Sequence, residues 1–595
     1  MTKKQLQDIP WSNLVEMFFD QAKKGKRKTF LHQRSNDGWK AISWQQAAKQ
    51  VEDIAKSLYH LGIQPGDRVA IVSENRYEWG LIDLAIMAMG GITVPAYTTN
   101  TTGDHRHIIE DSGANIAFIS NQALLKTFLP AAIDAPKMRH IITLDSVKFQ
   151  QNPDLNLYRL GNTPLDEDKE EFDIKQHISK IKHDDIACLI YTSGTGGAPK
   201  GVMLEHKALL SNCQGVEFIY HQIKKFSFFS ILPLSHAFEH TVGFLAPIYY
   251  NGEVYYPNGI ENLLSGLTES NPGVLLAVPR IYEVFKSRIE GQLRKAPARK
   301  KAIYNKALAL GLKRVNDETF SFIEKYQYAL LRKLVQKKIQ KTFGNVQLFV
   351  SGGAPLDPEL GKWLMAMEFP IIQGYGQTEA SPMVSANYPK SKKYYTVGPK
   401  LENIEVKLSA DNELLVKGEL LMRGYWNNRR STAETLVNGW LHTGDIASID
   451  DEGHLMITGR KKDIIILTGG DNISPTRLES LMSLEEEIGQ AILYGDKRNY
   501  LVALVNPDAD WLEIWAKENG KENNLEELCN DKELKSVLAG VIKQLNKRTT
   551  VAENIRKFII APEYFTIENS FLTPTMKLRR QLIIEKYKPQ LDELY

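Results

Sequence analysis

The chain has 595 residues, which is too long for one hydrophobic core, so we expect several domains. Its 74 Lys and Arg nearly balance its 71 Asp and Glu, and the net charge of +3 gives no global field of the kind that attracts nucleic acid. Three cysteines, Cys188, Cys213 and Cys529, exclude a disulfide framework and a thiolate zinc site and favour a reducing, cytoplasmic location. No stretch reaches the ~18 uncharged apolar residues of a membrane span.

Strand-like apolar runs alternate with helical patterns through the first three-quarters of the chain. Residues 68–72, 186–191 and 346–350 are almost continuously apolar, and each run ends at a polar or glycine-rich turn. This pattern is typical of buried strands in α/β layers, where functional loops follow the carboxyl ends of the strands. Beyond Gly459 the pattern changes, and residues 491–505 indicate two strands around a polar turn, followed by charged helical segments. We therefore predict an α/β fold with a large N-terminal domain over residues 1–460 and a small α+β domain over residues 461–595.

Two segments have an unbalanced charge. Residues 152–173 are polar and acidic, which predicts a solvated surface loop. Residues 286–341 contain 16 Lys and Arg against four Asp and Glu, with few turn residues, which predicts a largely helical segment. Within it, an apolar stripe recurs at helical spacing, formed by Ile323, Tyr326, Leu330 and Leu334. One interpretation is that these helices pack on the main core with their basic face in water. The other is a basic surface attracted to anionic lipid or to the phosphates of a large cofactor.

The segment Tyr191–Gly201 follows a predicted strand and carries the clearest chemical signal. Hydroxyls, glycines and a lysine share ten positions: Thr192, Ser193, Gly194, Thr195, Gly196, Gly197 and Lys200. Glycines let backbone N–H groups curl around an anion, hydroxyls donate to phosphate oxygens, and lysine supplies a positive charge. The segment is not a Walker A loop, because Pro199 and Gly201 flank the lysine, and it lacks the third glycine of a dinucleotide-binding loop. It is a phosphate loop of another kind.

This loop resembles the signature loop of the AMP-forming, adenylate-forming superfamily, which includes acyl-CoA synthetases, adenylation domains of peptide synthetases and luciferases. The chain departs from the usual form at Gly196, where a second threonine is common. Each motif alone has an ordinary structural explanation, such as a turn, a helix cap or a surface lysine. Eight motifs in the superfamily's order are specific. The seven that follow the loop span residues 232–240, 351–355, 373–379, 418–426, 440–445, 459–463 and 572–577, with Met576 where many relatives have glycine.

The resemblance implies a role for each matching residue. Tyr375 would stack on adenine, Thr378 would contact the α-phosphate, and Asp445 would accept the ribose hydroxyls. Beyond the phosphate loop, the implied ATP- or AMP-binding residues are Gly352, Gly353, Ala354, Pro355, Gln373, Gly374, Tyr375, Gly376, Thr378, Asp445 and Arg460. The implied catalytic residues are Lys577, His236, Thr378 and Glu379, and the implied Mg²⁺ contacts are Thr195 and Glu379. Lys462 would be the hinge about which the C-terminal domain, carrying Lys577, moves as a lid.

The resemblance also implies the acceptor and the acid. Residues 278–285 and 467–475 are similar to segments of long-chain acyl-CoA synthetases, which implies coenzyme A as the acceptor, with Gly469 and Gly470 beside its pantetheine arm. The acid would then be a long-chain fatty acid. Residues after His236 either line its tunnel or belong to the ordinary core, namely Phe238, Val242, Phe244 and Leu245.

The implied activity is therefore that of an AMP-forming long-chain fatty acid–CoA ligase that uses ATP, Mg²⁺ and coenzyme A. Two enzymatic alternatives are a fatty acyl-AMP ligase and a synthetase for medium-chain or aromatic acids. A non-enzymatic alternative is a membrane-associated lipid-binding scaffold. Peripheral membrane contact and a homodimer are left open, and no nucleic-acid partner is expected.

Overall fold

The computed structural model describes residues 8–148, 155–164, 171–192, 198–259, 262–294, 296–344, 346–388, 391, 393–573 and 577–595. The chain divides into two units. The larger comprises Met1–Lys407, Leu415–Thr443 and Ile449–Leu455, and the smaller comprises Leu408–Leu414, Gly444–Ser448 and Met456–Tyr595. A large N-terminal α/β domain followed by a smaller C-terminal domain confirms the predicted fold class, whereas the boundary at residue 460 and the mobility of the second domain stay predictions.

The strands, in chain order, are β1 (Thr29–Ser35), β2 (Gly38–Ser43), β3 (Arg68–Val72), β4 (Ile92–Ala96), β5 (Ile116–Ile119), β6 (His140–Thr143), β7 (Asn156–Arg159), β8 (Ile186–Thr192), β9 (Lys200–Glu205), β10 (Ser227–Phe229), β11 (Glu253–Tyr256), β12 (Val274–Ala277), β13 (Leu348–Ser351), β14 (Ile371–Gly376), β15 (Met383–Ala386), β16 (Ile404–Leu408), β17 (Glu413–Gly418), β18 (Gly424–Tyr425), β19 (Leu436–Val437), β20 (Trp440–Ile449), β21 (Leu455–Arg460), β22 (Ile465–Ile466), β23 (Asn472–Ile473), β24 (Ile488–Tyr494), β25 (Leu501–Pro507) and β26 (Ile555–Ile560).

The α-helices are α1 (Leu14–Gly25), α2 (Trp44–His60), α3 (Tyr77–Ala88), α4 (Thr102–Ser112), α5 (Gln122–Ile133), α6 (Ile174–Ile178), α7 (His206–Gly215), α8 (Glu217–Tyr220), α9 (Ala246–Tyr249), α10 (Leu263–Ser270), α11 (Pro279–Arg294), α12 (Ala298–Val315), α13 (Phe322–Leu331), α14 (Lys337–Lys341), α15 (Pro358–Ala366), α16 (Arg429–Thr435), α17 (Pro475–Met482), α18 (Ala509–Glu518), α19 (Leu525–Leu528), α20 (Lys532–Asn546) and α21 (Arg580–Asp592). Glu239–Leu245 and Arg332–Gln336 form π-helical turns, and Thr378–Ala380 and Val551–Glu553 form 3₁₀ turns.

Two mixed eight-stranded sheets carry the larger unit. Their strand orders are β15-β14-β13-β12-β10-β11-β1-β2 and β18-β9-β8-β4-β3-β5-β6-β7. The central strands of both sheets are parallel. Antiparallel strands β2 and β15 form the two ends of the first sheet. Antiparallel strands β9 and β18 form one end of the second sheet, and the parallel strand β7 forms the other. Because β8, β13 and β14 each end at a predicted nucleotide motif, the carboxyl ends of these strands present the motif loops.

Helix α3 is buried on nearly every side. Every residue from Trp79 to Ala88 is buried, which fits its almost wholly apolar sequence. Asp83 is the exception in polarity: its Oδ2 lies 2.9 Å from Nε2 of His240, and both side chains are fully buried. Gly80 lets the Phe244 ring pack against this helix, because a Cβ at Gly80 would lie 2.3 Å from that ring. Phe244 therefore belongs to the core.

The strand predictions are confirmed with small shifts. The run 68–72 matches β3, the run 186–191 is extended to Thr192, and the run 346–350 corresponds to Leu348–Ser351. The interpretation of residues 152–173 as one surface loop is wrong in part, because Asn156–Arg159 pairs in parallel with β6 at a sheet edge. Polar residues are compatible with such an edge strand, because only one side of its backbone is hydrogen-bonded to a neighbouring strand and only one of its faces packs on the protein. The segment 286–341 is largely helical, as predicted.

The smaller unit is built on a three-stranded sheet in the order β24-β25-β26. Strands β24 and β25 are antiparallel, as predicted for residues 491–505. Strand β25 is buried on both faces, and alternate side chains enter two different clusters: Leu501, Ala503 and Val505 pack with α18 and α20, and Val502 and Leu504 pack with α21. Among the described residues of the chain, no helix is both long and apolar enough to cross a membrane.

Candidate nucleotide and lysine sites

The phosphate loop is closed at its base by a strand pair. Thr192, at the end of β8, lies opposite Lys200, the first residue of β9. The Lys200 ammonium donates to Ser431 Oγ at 2.9 Å and lies 5.0 Å from the centre of the Tyr425 ring. The predicted residues Ser193, Gly194, Thr195, Gly196 and Gly197 lie outside the described residues.

Tyr425 connects this lysine to the acidic residue of a second motif. Its hydroxyl donates to Glu379 Oε1 at 2.7 Å while its ring faces Lys200. Strand β18, which carries Tyr425, pairs with β9, so the sheet fixes this position. The structure thus brings Lys200 and Glu379 to one tyrosine that the sequence reasoning did not single out, although the motif 418–426 contained it.

The two loops assigned to adenine are tied together by Gln373. Its Oε1 accepts from the Leu356 backbone N–H at 2.8 Å, and its Nε2 donates to the Thr396 carbonyl at 3.0 Å. The first of the two loops directly precedes Leu356 in the chain and contains Gly352, Gly353, Ala354 and Pro355. The second motif directly follows Gln373 along β14 and begins with Gly374, Tyr375 and Gly376. Thr378 is buried directly after that strand.

Two glycines of these loops are required by their surroundings. A Cβ at Gly376 would lie 1.8 Å from the Pro382 carbonyl oxygen, so only glycine allows the backbone of β14 to approach that turn. Gly353 has φ +79°, a left-handed conformation that favours glycine.

His236 lies half-buried just before a π-helical turn. Its Nδ1 accepts from the Phe238 backbone N–H at 3.2 Å, so in the neutral ring the proton is on Nε2. The carbonyl of His236 accepts from the His240 N–H at 3.0 Å, and His240 is in turn paired with Asp83. The neighbouring Glu239 is fully buried, and this burial raises its pKa to about 8. The sequence reasoning proposed neither Asp83 nor Glu239 as a site residue.

A cavity of about 580 Å³ opens beside the segment that precedes His236. Its lining includes Arg34 and Arg76, but both are already ion-paired, with Glu269 and Glu78 respectively. Carboxylates of Glu74 and Asp145 also line it, so its charges do not mark it as a phosphate site.

Asp445, Arg460 and Lys577 form a charged group in the smaller unit. Asp445 is 2% exposed, and its Oδ1 lies 2.9 Å from Arg460 Nε. Two hydrogen bonds join Lys577 to Thr573: the Thr573 N–H donates to the Lys577 carbonyl at 2.8 Å, and the Lys577 N–H donates to Thr573 Oγ1 at 3.0 Å. Lys577 is exposed as a residue, whereas its ammonium is desolvated. This desolvation, reinforced by the Arg460 charge and opposed by Asp445, lowers the pKa of Lys577 to about 8.

The predicted hinge and acceptor-side residues lie on exposed turns. Lys462 is exposed in the turn after β21. Gly469 and Gly470 are exposed in the turn between β22 and β23, and Gly470 has φ +87°. The chain thus positions them at the surface.

The described residues fit an ATP-bound Mg²⁺ ion rather than a protein-enclosed metal centre. Among these residues, no group of three or more His, Cys, Asp and Glu could hold a metal. Mg²⁺ commonly uses one or two carboxylates together with substrate phosphates. The Glu379 carboxylate, fixed through Oε1 by Tyr425, meets that requirement.

The fold and the ordered motifs define an adenylate-forming ligase, and comparison with known proteins agrees. A family model described as AMP-binding enzyme matches residues 18–427, and one described as AMP-binding enzyme C-terminal domain matches residues 462–595. The chain belongs to the AMP-binding enzyme family, and as a member it binds ATP and AMP.

The chain is similar over most of its length to proteins named long-chain-fatty-acid–CoA ligases. The chain is 32% identical to long-chain-fatty-acid–CoA ligase FadD15 of Mycobacterium tuberculosis, over 95% of this chain and 94% of that protein. It is 28% identical to long-chain-fatty-acid–CoA ligase ACSBG2 of Xenopus laevis, over 99% and 84%. Among solved structures, its fold is similar to the adenylation domain of a carboxylate reductase from Mycobacterium chelonae, with a TM-score of 0.77, 21% identity and coverage of 99% and 92%. It is also similar to ATP-bound MatB from Rhodopseudomonas palustris, with a TM-score of 0.68, 20% identity and coverage of 97% and 99%.

Proposed function

We propose that the chain activates a long-chain fatty acid with ATP and transfers the acyl group to coenzyme A. In the first half-reaction a carboxylate oxygen of the acid attacks the α-phosphate, and pyrophosphate leaves. In the second, the thiol of coenzyme A attacks the acyl-adenylate and AMP leaves. The observation that carries the choice of acid and acceptor is the similarity, over nearly the whole chain, to proteins named long-chain-fatty-acid–CoA ligases.

The nucleotide is assigned to the motif residues. Lys200 and the phosphate-loop amides would contact the phosphates, Tyr375 would stack on adenine, and Thr378 would donate to the α-phosphate. Asp445 is assigned to the ribose hydroxyls, because a carboxylate accepts such bonds more strongly than a neutral group. Arg460, ion-paired with that carboxylate, holds it in one orientation.

Glu379, together with Thr195 of the loop, would hold Mg²⁺, which supplies positive charge against the phosphate oxygens. The hydroxyl of Tyr425 keeps the Glu379 carboxylate oriented. His236 would present Nε2–H near the reacting carboxylate, since its Nδ1 is already used.

Lys577 supplies the charge that stabilises the transferring α-phosphoryl group. In thioester formation the thiol attacks the acyl carbonyl and the acyl C–O bond breaks, so no bond to the phosphorus changes. The lysine is therefore assigned to the first half-reaction, in which the phosphorus itself is attacked. Lys462 is assigned to the hinge between the two reaction states, and Gly469 and Gly470 to the side of the pantetheine arm.

The test is release of AMP by the purified full chain with ATP, Mg²⁺ and acids from C2 to C20, each with and without coenzyme A. We expect palmitate-dependent AMP release that requires coenzyme A. Palmitate-dependent formation of acyl-AMP and pyrophosphate, with no AMP release when coenzyme A is added, would identify a fatty acyl-AMP ligase. A preference for benzoate or medium-chain acids would contradict the long-chain assignment. Absence of palmitate-dependent ATP–pyrophosphate exchange would favour a lipid-binding scaffold.

A further inference from the structure

Helix α13 and the π-helical turn after it present apolar side chains to solvent. Their exposed fractions are high, at 90% for Phe322, 69% for Ile323, 73% for Tyr326, 48% for Leu330 and 58% for Leu334. These residues, which we call the exposed apolar face, lie three or four positions apart and so share one side of the helix. Four of them are the stripe found in the sequence. The interpretation that these helices pack on the core with only a basic face in water is therefore wrong for this stripe.

The opposite side of the same segment is held to the protein by polar contacts. The Lys313 ammonium donates to Glu324 at 2.9 Å, and both Tyr328 and Arg332 contact Glu368. Further along, Gln336 Nε2 donates to the Ala366 carbonyl at 2.8 Å from a fully buried position. A helix of a globular protein normally turns its apolar side inward and its polar side to water. Here the arrangement is reversed.

Lysines accompany the exposed apolar face. Five exposed lysines lie within Phe322–Lys341, namely Lys325, Lys333, Lys337, Lys338 and Lys341. The one acidic residue in that range, Glu324, is ion-paired with Lys313. An apolar side flanked by lysines has the chemistry of a helix that lies in the interface of an anionic membrane, with its apolar side chains among the acyl chains and its lysines on the headgroup phosphates.

We propose that the exposed apolar face and its five lysines form a docking surface for an anionic phospholipid bilayer. A second copy of the chain fits this surface poorly, because a two-fold contact through it would bring ten lysines together without counter-charges from the segment itself. The inference stands apart from the proposed function, since binding of a bilayer is measured without turnover. Where the proposed function also holds, the surface would place the enzyme at the phase that dissolves long-chain fatty acids.

The experiment is flotation of the purified full chain with phosphatidylcholine vesicles and with vesicles containing 30% phosphatidylglycerol. We expect binding to the anionic vesicles, weaker binding to the neutral ones, and loss of the difference as salt rises from 50 to 500 mM, where surface charges are screened. Binding that is equal for both vesicles at all salt concentrations, or no binding, overturns the proposal.

Two variants divide the surface into its components. Lys333→Gln, Lys337→Gln and Lys338→Gln together are expected to weaken anionic-vesicle binding about 100-fold, from ~1 kcal/mol per lysine near the surface. Phe322→Gln, Tyr326→Gln and Leu330→Gln together remove the inserted side chains and are expected to weaken binding to both vesicle types at least tenfold. These positions are exposed, so the fold is expected to be unchanged.

Control variants change exposed lysines and exposed apolar residues elsewhere in the chain. Lys517→Gln, Lys532→Gln and Lys543→Gln alter three exposed lysines of α18 and α20, and Ile514→Gln with Val551→Gln alters exposed apolar residues. Wild-type binding by the controls supports the proposal, and an equal loss in controls and test variants overturns it. Light scattering tests whether the exposed apolar face instead binds a second copy of the chain. If the wild type is a dimer, and the apolar variant is a monomer with unchanged vesicle binding, the face is a dimer contact and the proposal is overturned.

Discussion

Replacement of Lys577 by alanine should separate the two half-reactions. The lysine ammonium is assigned to the α-phosphate at the stage when its phosphorus is attacked, which happens only in adenylation. Loss of one such preorganised contact commonly lowers the rate on the order of 10²–10³. In single-turnover experiments, Lys577→Ala should lose palmitoyl-AMP formation by that factor. Given preformed palmitoyl-AMP and coenzyme A, the same variant should form the thioester at nearly the wild-type rate. Lys532→Ala, at an exposed lysine of α20, is the control and should affect neither step.

The pKa of Lys577 supplies a second, independent readout. Burial and the Arg460 charge lower this pKa to about 8, so the ammonium loses its proton as the pH rises through that value. About nine-tenths of the lysine is charged at pH 7 and about one-tenth at pH 9, which predicts a roughly tenfold fall in adenylation rate. Lys577→Arg keeps its charge throughout this range, so its adenylation rate should not fall. Thioester formation should instead rise with pH, because the attacking species is a thiolate.

Two results would refute this reasoning. An equal loss of both half-reactions in Lys577→Ala would mean that the lysine does not act on the α-phosphate alone. A wild-type adenylation rate that is constant from pH 7 to pH 9 would mean that its ammonium is not the titrating group on which the rate depends.

Three further predictions concern single positions. Asp445→Asn should raise the KM for ATP about tenfold or more while leaving fatty-acid binding intact, because a charge-assisted acceptor becomes neutral; steady-state kinetics and a fatty-acid binding titration check this. Gly376→Ala should lower the stability of the larger unit by about 1–3 kcal/mol in urea unfolding, because its Cβ would lie 1.8 Å from the Pro382 carbonyl oxygen. Gly291→Ala is the control, because its Cβ would lie in open space and its φ is not left-handed. Asp83→Ala should lower the midpoint of urea unfolding, because the buried His240 loses its partner at a cost of about 1–3 kcal/mol. Asp83→Asn keeps an acceptor oxygen and should therefore lose less stability.

The sequence predicted secondary structure best where the same requirement, such as burial on both faces of a sheet, applies to every residue of a segment. Strand β3 must be apolar on both faces because layers cover both sides of its sheet, and its predicted bounds match. Strand β7 has no such requirement, since it lies at the sheet edge beside β6, and its polar residues resemble a loop. The motif order predicted the family for a related reason, because each motif carries chemistry that ordinary packing does not demand.

Contacts between distant segments were harder to predict. Tyr425 lies 225 positions from Lys200 and 46 positions from Glu379, and only the pairing of β18 with β9 brings it to both. Asp83 and His240 are 157 positions apart and meet because α3 is buried. Neither contact leaves a periodic signal, since each depends on which two elements become neighbours.

The exposed apolar face shows that helical periodicity in a sequence does not determine which side of the helix faces solvent. Spacing of three and four residues identifies one side of a helix, but it does not state whether that side meets protein or solvent. For α13 the decision depends on Glu368 and on the Ala366 carbonyl, polar groups that receive contacts from the opposite side of the helical segment. An unmade hydrogen bond to a buried polar group costs about as much as burial of a medium-sized apolar side chain gains. Several polar partners on the protein can therefore outweigh the tendency of an apolar stripe to turn inward, and the stripe remains available to an apolar phase outside the molecule.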